Sequence, residues 1–153
     1  MGIIIEPKPG TYALVLSCRT NARIQVGRLG TMQLQRGYYV YLGSALGPGG
    51  LRARIAHHQK LSTRPHWHID YLRAHTRLHS VWFNYDGMRH EHEWALAMQK
   101  VKDTGFPFRG LEPRIELPVA PLLLQALPSP QVDRPPFRAS ITLSRDVVPL
   151  RRK

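Results

Sequence analysis

Tyr12, Tyr41, Arg54, His58 and Glu91 are residues whose types and order fit one chemistry. The tyrosines sit in glycine-containing triplets on apolar runs, Gly10-Thr11-Tyr12 and Tyr41-Leu42-Gly43, the second followed by Ser44. Arg54 and His58 are four residues apart, which places both on one face of a helix. Glu91 opens a later run with helical apolar periodicity. A tyrosine beside positive charge can take a proton from water, because a nearby cation lowers the phenol pKa from its ordinary value near 10. A planar, permanently charged guanidinium suits a phosphate oxygen that gains charge in a transition state. Histidine can share a proton with a phenol or a water. One carboxylate is enough for Mg²⁺, which keeps much of its hydration shell, and such a cation stabilises a leaving oxygen. Water activation, phosphate clamping and cation binding are the requirements for cutting a phosphodiester.

Each residue also has an ordinary reading. A lone strand tyrosine usually packs, with its hydroxyl satisfied by some neighbour. Arg52 and His57 share the Arg54/His58 segment, which would suit a merely solvated basic helix. Acids such as Glu91 and Glu93 are common in a first helical turn for dipole reasons. The glycines of Gly47-Pro48-Gly49-Gly50 admit close approach of backbone to a phosphate, or serve turn geometry alone. His66, His68 and Asp70 suggest a metal site, but on a helix they diverge by about 200°. Trp67 and Tyr71 packing one turn apart, with a His or Asp70 orienting a neighbour or touching DNA, is the better reading there.

The elements that must position these groups follow from period and punctuation. Thr11–Ser17 is β-branched and aromatic and reads as a core strand, with Ala22–Val26 as its hairpin partner. Tyr38–Gly43 is a further strand. Leu51–Lys60 is helical, with Leu51, Ile55 and His58 on one face. Trp67–Ala74 predicts a short helix and Leu78–Tyr85 a strand. His90–Lys102 predicts a helix whose buried stripe is Trp94, Ala97, Met98 and Val101. The order β-β-β-α-α-β-α predicts an α/β sandwich of the α+β type, a small, mainly antiparallel sheet with helices.

The 153 residues suit one domain with a modest core. A net charge of +12 attracts polyanions and makes nucleic acid the natural partner. Cys18 is the single cysteine, so neither an intrachain disulfide nor a Cys-based zinc site forms, and its apolar setting predicts a buried strand residue. No apolar run approaches the roughly 18 residues of a membrane span, and the first ten residues lack a signal-peptide layout. The expectation is a cytoplasmic protein without membrane partners. Composition changes after about Gly110: 9 of the 13 prolines lie in 105–153, whereas all 8 histidines precede 105. Proline at that density breaks helix and sheet.

These residues resemble the GIY-YIG nuclease superfamily: Gly10-Thr11-Tyr12 for the first triplet, Tyr41-Leu42-Gly43 for the second, then Arg54, His58 and a helical glutamate. The interval from Tyr12 to Tyr41 is longer than usual for that family. Together with Gly27-Arg28-Leu29-Gly30, the run 37–47 and His66-Trp67-His68-Ile69-Asp70-Tyr71-Leu72, it resembles the Uri-superfamily endonuclease branch over roughly residues 8–110. The resemblance implies a three-stranded antiparallel sheet with an extra hairpin, flanked by helices. It implies one-metal hydrolysis of DNA with Mg²⁺ or Mn²⁺, Tyr12 as base, and Tyr41, Arg54 and His58 in the catalytic centre. Glu91 would hold the metal, with Glu93 as the alternative. Gly43, Ser44, Arg52, His57 and His68 would meet substrate. Relatives fused to DNA-repair enzymes imply a role in DNA repair or processing and a repair protein as partner. The competing expectation is a nucleic-acid-binding module that has lost catalysis.

The branch's later asparagine has no match, and its cysteine- and histidine-containing end is replaced here. Allowed codons for Glu116–Leu124, read one nucleotide on, can spell that ending. The domain is therefore expected over 1–110, with 111–153 a frame-shifted, poorly ordered Pro/Arg/Leu-rich tail.

Overall fold

In a computed structural model, the fold is described for residues 4–65, 68–102, 125–127 and 135–143. Its centre is β1 (Gly10–Cys18), flanked by β4 (Gly37–Ala45) and β5 (Arg77–Phe83), both antiparallel to it. β1 is buried on both faces, which is why its sequence is almost continuously apolar and why it takes the central place. The fold is α+β: this three-stranded antiparallel sheet, a hairpin and three helices.

The hairpin corrects one expectation. β2 (Ala22–Gln25) pairs with β3 (Thr31–Leu34), not with β1. β2 alternates exposed Arg23 and Gln25 with buried Ile24, a pattern for a small sheet with one wet face. A strand buried on both sides needs the longer, more apolar β4 and β5 as neighbours.

The helices divide between the faces of the sheet. α1 (Gly50–Gln59) and α2 (His68–Arg73) join the hairpin over the face carrying Tyr12, Leu14 and Leu16. Leu51, Ile55 and His58 form the buried face of α1, as the spacing predicts. α3 (Glu91–Gln99) covers the other face, where Ala13, Val15 and Trp82 meet Trp94, Ala95 and Met98. Its buried stripe is Glu91, Trp94, Ala95 and Met98; Ala97 and Val101 are only partly covered, and Val101 lies past the helix end. Cys18 is buried, as expected.

Much of the predicted tail lies outside the described residues, as do Trp67 and the side chain of His68. Of the tail, β6 (Gln125–Leu127) pairs with β4 and β7 (Ser140–Leu143) with β5, giving the order β6-β4-β1-β5-β7. Phe137 stacks on Trp94 with ring centroids 4.2 Å apart. Among the described residues no helix is long and apolar enough to cross a membrane.

Candidate active site

Register brings the two triplets together. Tyr12 lies opposite Gly43, Thr11 opposite Ser44 and Leu14 opposite Tyr41, so both tyrosines project from adjacent strands into the layer beneath α1. Gly43 is buried because of Tyr12: a Cβ at position 43 would stand 2.5 Å from the Tyr12 hydroxyl oxygen. α1 is aimed by the preceding loop. Gly50 has φ of +54°, and a Cβ there would meet the Lys8 carbonyl oxygen at 2.4 Å; the same carbonyl accepts a hydrogen bond from Leu51 N–H at 2.9 Å. The chain must therefore turn tightly past Lys8 before the helix starts.

The turn drives His58 into the tyrosine pair. Its Nε2 and the Tyr12 hydroxyl are 2.9 Å apart, and the edge-on Tyr41 ring lies 5.8 Å from the imidazole, centroid to centroid. Burial, helped by neighbouring His57, depresses the His58 pKa to about 3. The imidazole is thus neutral at physiological pH. Burial pushes the Tyr12 phenol up, while the charge of half-buried Arg54 and its hydrogen bond to Tyr12 pull the other way. Tyr41 is likewise raised by burial and by proximity to Tyr12, with Arg54 opposing. Neither tyrosine is a resting phenolate. Tyr12 is hydrogen-bonded to both His58 and Arg54.

Glu91 comes from the opposite layer through the end of β1. The Thr11 hydroxyl donates to the Met88 carbonyl at 3.0 Å and accepts from His90 N–H at 2.9 Å, pinning the start of α3. Its single proton being used, it accepts from Ser44 at 3.3 Å. Glu91 is buried, and among the described residues its Oε1 has no hydrogen-bond partner. Its charge reaches Tyr12, where it raises the phenol pKa. Glu93 instead points outward and binds His90 Nδ1 at 2.8 Å. A buried, under-coordinated carboxylate oxygen is costly unless something binds it, so Glu91 is the carboxylate of the two that could take up a cation, whereas Glu93 is exposed and already bound to His90.

Tyr12, Tyr41, Arg54 and His58 are brought together, and Glu91, on the other face, is near enough for its charge to act on Tyr12. Arg52 and His57 lie on the exposed side of α1. A cleft of about 150 Å³, lined by Ala45, Gly47, Pro48, Gly50, Ala53, Arg54 and His57, opens next to the Arg54 guanidinium. The model of the domain of unknown function DUF123 matches residues 11–111. The chain belongs to this family. None of the curated proteins and none of the solved structures compared with it matches.

Two further residues of this DUF123 domain position the site without signalling it in sequence. Thr11 is hidden inside the first triplet, on the face opposite Tyr12; a polar residue in a two-sided buried strand was its only signal. Arg73 is buried, donating from Nε to the His58 carbonyl at 2.9 Å and from Nη1 to the Thr76 carbonyl at 2.7 Å. It caps the end of α1 and fixes His58 from behind. A basic residue ending a six-residue helix carries no sequence mark of that role.

Proposed function

We propose that this DUF123 domain is a metal-dependent endonuclease of the GIY-YIG type that hydrolyses phosphodiester bonds in DNA, in repair or processing. The observation that carries the reading is the union of the Tyr12–His58 hydrogen bond, Arg54 and a buried unpartnered Glu91 oxygen around one strand end. The net charge of +12 suits a polyanionic substrate.

The phosphate enters the cleft beside Arg54, whose guanidinium binds a non-bridging oxygen and opposes its growing charge. Water attacks phosphorus while giving a proton to the Tyr12 oxygen, and Tyr12 passes its own proton to His58 Nε2. Burial makes His58 a weak acceptor in the empty site; the phosphate anion restores basicity, because a nearby negative charge favours imidazolium. Tyr41 packs against the imidazole edge and holds the ring in line. Glu91 holds Mg²⁺ or Mn²⁺, which when bound supplies Lewis-acid stabilisation of the phosphate and the leaving 3′-oxygen. Arg52 and His57 face solvent, where flanking phosphates would run.

The test is nicking of end-labelled linear and branched DNA. Cleavage requires Mg²⁺ or Mn²⁺, stops with EDTA, and falls at least about 100-fold in Tyr12→Phe, Arg54→Ala and Glu91→Gln, in line with losing one general acid–base or charge-stabilising group. Salt-sensitive retention of DNA without metal-dependent cleavage would instead identify an inert binding module.

A further inference from the structure

The proton relay uses only one nitrogen of His58. The other, Nδ1, is buried and has no hydrogen-bond partner among the described residues. An enclosed imidazole nitrogen left unpaired opposes folding, in a residue that Arg73 and the α1 turn hold in place. Because Nε2 is engaged by Tyr12, Nδ1 is the atom of His58 left to bind a ligand, and two further donors stand near. His57 is the adjacent residue on α1, and its Nε2 lies 3.7 Å from Oδ1 of Asp70, a buried residue of α2. One ligating atom from each of His57, His58 and Asp70 falls within 4.8 Å of the others.

We propose that His57, His58 and Asp70 form a second cation site, for a divalent transition metal of the zinc class. Two imidazoles and a carboxylate match a tetrahedral zinc centre that keeps its fourth position open, whereas Mg²⁺ prefers oxygen ligands. Ligand atoms each about 2.0–2.2 Å from one ion lie roughly 3–4 Å apart. The 3.7 Å pair already meets this, and with all three ligand atoms within 4.8 Å of one another the others are at most about 1 Å beyond it. Burial keeps His58 neutral, so its lone pair is open to a metal without prior loss of a proton. Arg54 and Arg73 oppose a cation here and Asp70 favours it; coordination bonds, rather than net charge, must hold the ion. His57 also lines the cleft beside Arg54.

Occupancy has a chemical consequence. A neutral imidazole ligating through Nδ1 carries its proton on Nε2, which then donates to the Tyr12 oxygen rather than accepting from it. Metal binding at this site and proton transfer from Tyr12 to His58 exclude each other.

The inference does not rest on nuclease activity, and its test uses neither DNA nor Mg²⁺. The untagged full-length chain, stripped with a chelator, is titrated with Co²⁺ and followed by its visible d–d absorption. One equivalent is expected to bind with the intensity of a four-coordinate site and to be displaced by one equivalent of Zn²⁺. Affinity should drop at least about tenfold in His57→Ala, an exposed position, and in Asp70→Asn, while Glu91→Gln retains it. Should Asp70→Asn fail to fold, His57→Ala decides alone. Absence of stoichiometric binding by the folded parent chain, or undiminished binding in His57→Ala, overturns the proposal.

Discussion

The two faces of the central sheet bury different kinds of side chain. Under α3, Ala13, Val15, Val40, Leu42 and Trp82 meet Trp94, Ala95 and Met98, a layer of shape and dispersion with Phe137 stacked upon it. Beneath α1 and α2, the aliphatic core of Leu14, Leu16, Leu51 and Ile55 is interrupted by Tyr12, Tyr41, His58 and Asp70, all buried. Polar groups taken from water and incompletely paired oppose folding. Such atoms occur on both faces, His58 Nδ1 beneath α1 and Ser80 Oγ, Trp82 Nε1 and Glu91 Oε1 toward α3, but only beneath α1 do two tyrosines, a histidine and an aspartate gather in one place. Glu91, from α3, acts across the sheet on Tyr12 through its charge.

The largest break in that contrast should come from Trp94→Ala. Emptying a buried indole site costs about 3–5 kcal/mol, read as a lowered urea midpoint; a loss under about 1 kcal/mol would mean that packing beneath α3 contributes little. Gly43→Ala attacks the other face. Displacing the Tyr12 hydroxyl from His58 is expected to lower DNA cleavage about 100-fold, or roughly 2.7 kcal/mol, and the ratio of rates under identical metal and salt measures it.

Next in size is a pH effect. His58 binds a proton at about pH 3 when folded but near its ordinary value of 6.5 when unfolded. The unfolded chain therefore takes up the proton first. This contribution to stability is complete above about pH 6.5 and drains away as pH falls toward 3, amounting to about 2 kcal/mol between pH 7 and 5. His90, raised by its hydrogen bonds to Glu93 and Asp86, acts with the opposite sign. Comparing the parent with His58→Phe in urea at both pH values isolates the His58 part; an unchanged difference would show that burial does not hold this imidazole neutral. The smallest effect belongs to Thr11→Val, which leaves His90 N–H and the Met88 carbonyl without their partner. About 1–2 kcal/mol of stability should be lost, and hydrogen exchange at the start of α3 should accelerate.

What sequence disclosed was local. The alternation and turn residues around Tyr12 and Tyr41 mark their strands, and the i, i+4, i+7 spacing of Leu51, Ile55 and His58 marks the inner side of α1. The hairpin was misassigned because Thr31–Leu34 is only four residues long and its two apolar members, Met32 and Leu34, announce little. A chain contact between Asp70 and His57 joins two helices across thirteen positions, and no periodicity within either helix encodes it. Glu91 was found as an acid at a helix start, yet its burial depends on the phase of the whole α3 stripe. That phase was set by Ala95 rather than Ala97, a choice between two alanines that hydrophobicity cannot make.

The space reserved at Gly43 ties two distant codons together. The oxygen of Tyr12 occupies the volume a methyl group would fill, so a lineage keeping the phenol must keep the bare backbone opposite it. A lineage that gives up the tyrosine releases that restraint, and position 43 is then free to drift toward larger residues. Among descendants of this fold, what stands at 43 would therefore serve as a fossil record of whether position 12 still works.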